Sequence, residues 1–406
     1  MNFKSVNKFT VLINLLSGNL LPLSNKNSEF SWGWKIYAII SWILQIIYFL
    51  LSFIGLFLVP KVQAIQYGTV NIVVLIEVLV LSIYVNLRRN DFKKLIKMIN
   101  DILDNSDEYK ILNCIHRTTN PINKPLRIYI MAVVLTVLFW TGLPIIKIIE
   151  QDKFYILDFR VPMYFIKEPF TRNFFVYAIL FQVICAPNVI AKKSCIDFYV
   201  IHMITLVTSE YHYISDELEN LFEEKNNLEI TVNLKINDKK YVYDEKIIDD
   251  KLRLKKLKQL IEHHSSVTKI GKLLKNLLSL NVALTYGNCI FRFCFLSFMI
   301  ITLPISIFDK CLIVMYTSGS MIQVFMLCLC AQELLEASTS ITKNAFYKEW
   351  HKCDLNSRKI YSNMMISNNL ECRLSAFGTI DMSINTFTTI LKQSYSACLF
   401  LLKINS

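Results

Sequence analysis

Long apolar stretches separated by polar, mostly basic segments set the layout of this chain. The first covers residues 36–59 without a charge, behind Trp32 and Trp34, whose indole rings favour a headgroup boundary. A second covers 62–87 and is interrupted only by Glu77; a third covers 128–146. The fourth, 173–191, carries a helical pattern on towards Val207. The fifth, 276–308, is longer than the roughly 20 residues that one crossing needs. Arg292 sits in its middle, so the inner boundary is expected there, with the side chain snorkelling to headgroups. The same helix then continues inwards over 251–276, where Leu257, Leu260, Ile261 and Leu274 alternate with Lys. A sixth stretch covers 312–331 and a seventh 374–402. The pattern predicts an all-α polytopic membrane protein with seven transmembrane helices.

The seventh stretch is not uniformly apolar. Read as one helix, it places Asp381, Asn385, Thr388, Lys392, Ser396 and Lys403 on one side, and Ile384, Phe387, Ile390, Leu391 and Cys398 on the other. A lipid-facing helix does not carry such a stripe, because an ionised group at mid-bilayer costs roughly 2.5–3.5 kcal/mol or more. Two readings stand: packing against other helices, or a water-filled path lined by copies of this helix.

Charge decides the orientation. Of the 44 Lys and Arg, 34 fall in the N-terminal segment and the connections after stretches two, four and six, against eight in the alternate set. That asymmetry predicts a cytoplasmic N-terminus and an extracellular C-terminus. The organisation is then a cytoplasmic segment 1–35, spans one to four over 36–208, and a cytoplasmic loop with helical anchor over 209–275. Spans five and six follow over 276–332, a cytoplasmic linker over 333–373, and span seven with a short external tail over 374–406. Within the anchor region, 223–250 mixes both charges without periodicity and reads as a loop, and His263 and His264 read as solvated surface.

Composition narrows the function classes. With 53% hydrophobic residues, nine Gly and nine Pro, the chain is neither disordered nor fibrous. The net charge of +12 is spread between apolar spans, so it reads as an orientation signal and not as a nucleic-acid footprint. The 11 Cys include no CxxC pair, which argues against a disulfide framework or a metal site; no cofactor is expected. The first apolar run is too long for the core of a secretory leader. An intramembrane enzyme needs a catalytic constellation, yet Glu77, Asp197, His202 and Asp381 are isolated in sequence. A secondary transporter would show repeat symmetry, which is missing. G-protein-coupled receptors have an external N-terminus, a DRY-like triplet and an NPxxY segment, and none of these fits. A receptor or a channel remains.

The last third carries a specific resemblance. It reads CAQELLEASTSITKNAFYKEW over 330–350, then Arg358 and Lys359, then TFTTILKQSYSACLFLL over 386–402. These segments resemble the insect odorant receptor family, with Ser338, Tyr347 and Trp350 in the linker and Phe387, Ile390–Lys392, Tyr395 and Ser396 in the last helix. The loop FRVPMYFIKEPF over 159–170 and the opening NLLSGNLLPL over 14–23 also resemble it, although Leu stands where the family commonly has Trp before Pro22. Asn369, Leu370 and Glu371 depart from the family's usual triplet before the last span. The family's related gustatory receptors carry a signature that is absent here. The family's co-receptor has a longer fourth-to-fifth connection, so this chain resembles a tuning, ligand-binding member.

The resemblance implies a subunit of an odorant-gated, non-selective cation channel, assembled with the odorant co-receptor as a hetero-tetramer in the lipid of the olfactory neuron's plasma membrane. The alternative is a metabotropic seven-span chemoreceptor acting through a cytoplasmic partner. A small volatile odorant is expected in the outer half of the bundle, where Tyr67, Asn71, Thr136, Phe139, Trp140, Tyr177, Phe181 and Tyr316 are the candidate contacts. The pore candidates are Asp381, Lys392, Ser396, Leu399, Phe400, Lys403 and Ile404. Matching to the family points to Phe400 and Ile404 as the apolar constriction, whereas the polar stripe points to Leu399 and Lys403; both stay open.

Overall fold

The computed structural model describes residues 2–24, 30–61, 64–234, 239–303, 306–347, 355–367 and 371–405. Two short helices, α1 (Phe3–Val6) and α2 (Lys8–Ser17), precede α3 (Trp32–Leu58). A π-helical turn (Ala64–Gly68) leads into α4 (Thr69–Leu87), followed by α5 (Arg89–Asn105) and α6 (Glu108–Glu150). Then come α7 (Arg172–Leu234), α8 (Lys239–Thr302), α9 (Ile307–Tyr347) and α10 (Leu355–Ser367). A hairpin of β1 (Ser375–Ala376) and β2 (Ile380–Asp381) introduces α11 (Ile384–Asn405). Among the described residues, α3, α4 and parts of α6, α7, α8 and α9 are long and apolar enough to cross a membrane. The seventh helix, α11, has 22 residues, about 33 Å at ~1.5 Å each, and is less apolar because one face is polar.

The helices are longer than the apolar stretches because packing outside the bilayer continues them. On α5, Phe92, Leu95, Ile96, Ile99, Ile102 and Leu103 recur at helical spacing and are all buried. They join Ile111 and Ile115 of α6, Leu206, Val207 and Ile214 of α7, and Leu257, Leu260, Val267, Ile270 and Leu274 of α8 in one apolar core. Ile214 of α7 and the α8 residues of this core fall within 209–275, the stretch expected from sequence to hold the anchor. Helix α2 docks on α7, with Thr10 Oγ1 2.9 Å from His202 Nδ1 and Asn14 Oδ1 accepting from Cys195 Sγ at 3.7 Å. Asn14 also holds the chain that follows, accepting from Leu21 N at 2.8 Å and donating to Leu21 O at 3.0 Å. Gly18, at φ +68°, closes α2 in a conformation that a side chain would strain. Lipid-facing character is plain on α3, where Ile39, Ile43, Leu50, Phe53 and Phe57 are exposed on the molecule's surface.

Five sequence expectations change. The mixed-charge stretch 223–250 is helical up to 234 and again from 239, as continuations of α7 and α8; 235–238 lie outside the described residues. His264 is buried in the anchor core, and His263 Nε2 lies 2.9 Å from Glu210 Oε2, so neither is solvated surface. Arg292 does not snorkel: it is 3% exposed and points into the bundle. Lys192 and Lys193, counted as basic connection residues, are buried in α7. Finally, 374–402 is not one helix. The chain turns at Phe377 (φ +48°) and Gly378 (φ +77°), Met382 N donates to Leu374 O at 2.8 Å, and Thr386 N donates to Ser383 Oγ at 3.2 Å, so the helix starts only at Ile384.

Candidate functional site

Five helices converge on a cavity of about 150 Å³. The walls are Val70, Asn71 and Val74 of α4; Ala132, Thr136, Val137 and Trp140 of α6; Ala186, Val189 and Ile190 of α7; Leu296 and Met299 of α8; and Ile313, Tyr316 and Ser320 of α9. Small residues make the space. Ala132, Ala186 and Gly319 stand where larger side chains would fill it, and a Cβ on Gly319 would lie 3.4 Å from Ala132 Cβ. Tyr48 of α3 closes one side.

The connection 151–171 covers one end. Phe154 and Phe170 exchange backbone hydrogen bonds, and Phe159, Phe170 and Phe175 pack in a satellite core. A Cβ on Gly55 of α3 would meet Pro162 O at 2.5 Å, so the glycine lets the loop lie flat on the helix. Arg160 of this loop pairs with Asp309 at the start of α9, and its guanidinium sits 5.3 Å from the Trp140 ring centroid. The loop is therefore tied both to a helix and to a cavity wall.

The other end is charged. Lys193 Nζ lies 2.7 Å from Glu77 Oε1 and 3.0 Å from Asp197 Oδ1. Asp197 Oδ2 accepts from Tyr129 OH at 3.2 Å and from Gln323 Nε2 at 2.7 Å. Arg292 faces the same cluster and reaches Cys289 Sγ at 3.3 Å and Asn288 O at 3.4 Å. Glu77, Lys193, Asp197 and Arg292 are all buried, and their formal charges cancel. Ionisable side chains within a helical bundle face inwards and pair, because the alternative is a lone charge in a low-dielectric interior. Their separation in sequence hid this: positions 77, 193, 197 and 292 belong to three different helices. The one available signal was a charge at mid-span with no lipid-facing excuse.

Of the eight residues proposed from sequence as ligand contacts, Asn71, Thr136, Trp140 and Tyr316 line this cavity. Phe181 is packed behind it, against Tyr48 and Phe165. Phe139 is exposed and touches Phe308, and Tyr177 is 70% exposed, so both point away from the cavity. The Tyr67 side chain lies outside the described residues. Lining residues that sequence reasoning passed over include Tyr129, Lys193, Arg292, Met299 and Gln323.

Helix α11 presents two unlike faces. Ile390, Ser394 and Cys398 are buried, and Phe387 packs on Phe325 of α9 at 5.5 Å between ring centroids. Tyr286 OH of α8 donates to Gln393 Oε1 at 2.7 Å. The opposite face leaves Asn385, Thr388, Lys392, Tyr395, Ser396, Leu399, Phe400, Lys403 and Ile404 exposed. Asp381 is separated from that stripe: it sits on β2, 3.4 Å from Arg373 Nη1. In the linker, Ser338 Oγ accepts from Cys372 N at 3.3 Å, which ties the hairpin to α9. The Tyr347 side chain and Trp350 lie outside the described residues.

The family model described as 7tm Odorant receptor matches residues 63–395. In Drosophila melanogaster, odorant receptor 67c is 24% identical over 189 residues, 45% of this chain and 40% of the relative. The aligned stretches span less than half the length of the curated relatives that the chain matches. Among solved structures, the insect olfactory receptor OR5 from Machilis hrabei superposes with a TM-score of 0.79 at 13% identity, covering 98% of this chain and 97% of that one. The same receptor in complex with eugenol gives a TM-score of 0.79 at 12% identity, with both chains fully covered.

Proposed function

The chain belongs to the 7tm odorant receptor family, and from that membership and its cavity we propose that it is the ligand-binding subunit of an odorant-gated cation channel. It is a multi-pass membrane protein with the fold of a solved insect olfactory receptor. The observation that carries the finer reading is the 150 Å³ cavity between α4, α6, α7, α8 and α9, walled mainly by apolar side chains. A dry apolar cavity of about this size accommodates a benzene-sized molecule, which suits a small volatile odorant. The related OR5 from Machilis hrabei has been solved with eugenol.

A conduction role for α11 rests on its polar exposed face. Polar and charged residues on a spanning helix face protein or water, never lipid. The face that the subunit's own bundle leaves uncovered therefore belongs against partner subunits or along a shared aqueous path. Four subunits around one axis, including the odorant co-receptor, would bring such faces together. Leu399 and Phe400 are 48% and 65% exposed in the single chain, which supports either as the apolar constriction that blocks ions by dewetting, with Lys403 and Ile404 beyond it. In this reading the N-terminus is cytoplasmic, the C-terminus is extracellular, and the site of action is the olfactory neuron's plasma membrane.

The test is a current recording in cells without G-protein turnover. Expressed with the co-receptor, the chain gives a volatile-evoked cation current; expressed alone, it gives little or none. Trp140→Ala, which removes a large apolar wall, shifts potency or ranking across the volatile panel. Current that requires G-protein turnover would favour the metabotropic alternative, and an unchanged ranking in surface-expressed Trp140→Ala would remove the cavity from the mechanism.

A further inference from the structure

The loop 151–171 over the cavity is fastened differently along its rim. Towards α3, α6 and α7 the ties include backbone and packing. Tyr164 N donates to Leu51 O of α3 at 3.1 Å, Lys147 Nζ of α6 lies 2.8 Å from Asp158 Oδ1, and Gln182 Nε2 of α7 donates to Val161 O at 3.1 Å. Phe154, Phe159 and Phe170 of the loop pack with Phe175, Ala178 and Ile179 of α7 in one apolar cluster. Towards α9 the crossing is made by a side-chain ion pair, Arg160 with Asp309. Its two side chains are 13% and 16% exposed, so the pair stands at the boundary between solvent and interior. Packed rings and backbone bonds separate only when the local fold opens, whereas a side chain at the rim rotates by itself.

Beneath that pair lies the cavity. The Arg160 guanidinium sits 5.3 Å from the ring centroid of Trp140, a wall residue, and Asp309 precedes the wall residues Ile313 and Tyr316 on α9 by about one and two helical turns. The carboxylate is fixed where it stands. Ser306 Oγ donates to Asp309 Oδ2 at 2.8 Å, and Asp309 N donates to Ser306 Oγ at 3.1 Å. Arg160, with the longer side chain, is therefore the part that swings. Taking the cavity as the ligand site, as above, we propose that the seam between the loop and α9 is the ligand's entrance from the loop side, with Arg160 as its latch. Closed on Asp309 and Trp140, the latch seals the cavity; swung away, it opens a path without breaking a backbone hydrogen bond. It sets the rate of passage in both directions and leaves affinity to the cavity walls.

Access can be read without knowing the odorant. In the full chain, Thr136→Cys places a thiol in the cavity wall, in a Cys311→Ser background because Cys311 is exposed. The anionic reagent 2-sulfonatoethyl methanethiosulfonate, which does not cross lipid, is applied outside intact cells, and the mass of the purified chain reports modification over the Cys311→Ser baseline. Arg160→Gln, and Asp309→Asn, which still accepts from Ser306, each raise the modification rate about tenfold, the loss of one charge-assisted hydrogen bond. The double variant is no faster than either single, because both break the same latch. Simple attraction of the reagent predicts otherwise: loss of Arg160 would slow an anion and loss of Asp309 would speed it. Either variant also decides alone if the other does not reach the surface, provided the reagent carries the charge that the lost side chain attracts. Opposite shifts, equal rates in wild type and variants, or no modification in any of them overturn the entrance. Trp140→Ala reads the cavity's role separately. A shifted odorant ranking there with unchanged access here removes the latch and keeps the site; faster access with an unchanged ranking keeps the entrance and removes the ligand reading.

Discussion

Removing Lys193 is the most informative single perturbation of this fold. In Lys193→Met the butyl-sized body stays, but Glu77 and Asp197 lose their common partner, and the buried cluster changes from neutral to one net negative charge. Breaking a buried pair by deleting one partner costs about 3–5 kcal/mol. At ~2.1 cal/mol/K of unfolding entropy per residue, 406 residues give about 0.85 kcal/mol/K, and Tm falls by roughly 3.5–6 °C. Glu77→Met should cost about as much with the opposite sign of residual charge. The double variant is the discriminating case. It leaves Asp197 with Tyr129 and Gln323 as donors and Arg292 as a counter-charge, so the cluster is neutral again. Its Tm should lie above that of either single variant, with a coupling of about 2 kcal/mol or more. Thermal unfolding of purified protein in lipid nanodiscs, followed by tryptophan fluorescence, reads all four species. Additive losses in the double variant would refute the idea that the groups act as one balanced cluster.

Three further outcomes are expected. A tag after Ser406 is labelled on intact cells and a tag before Met1 only after permeabilisation; the reverse would overturn the proposed orientation, which rests on the basic residues of the connections. In channels containing the chain, Phe400→Ala thins the apolar constriction and raises basal current, and Lys403→Glu raises cation permeation or divalent block, since two charges ~4 Å apart interact by about 1 kcal/mol even in bulk water; normal surface levels with no change in basal current, permeation or block would leave α11 as a packing helix. In the anchor region, burial and then nearby Arg117 hold the His212 imidazole below its usual range, against the opposing pull of Asp216. The unfolded chain thus takes up the proton first, so this contribution is complete above about pH 6.5 and is lost as the pH falls below it. The Tm difference between wild type and His212→Gln should shrink or reverse from pH 7.5 to 5.5, and a constant difference would refute the assignment.

The sequence by itself determined the number and order of the spanning helices, because apolar length is a local property that lipid enforces on each helix separately. It also determined the two-faced character of the last helix: Ile390 and Cys398 are buried, while Asn385, Thr388, Lys392 and Ser396 stay open. Half of the proposed cavity residues, namely Asn71, Thr136, Trp140 and Tyr316, could be picked by depth and residue type alone. Depth does not say which way a side chain turns, and so Phe139 and Tyr177 point outwards and Phe181 packs behind the wall. Only the tertiary structure decided the charged end of the cavity. Arg292 could snorkel or pair, and the choice rested on Glu77, which stands more than 200 positions earlier in the chain. It also decided the start of α11, where the turn at Phe377 and Gly378, held by Phe377 N on Ser279 Oγ at 2.8 Å, moves Asp381 off the helix. Hydropathy is additive along the chain and can be read residue by residue; charge pairing and turn geometry depend on partners that only folding brings within a few ångströms.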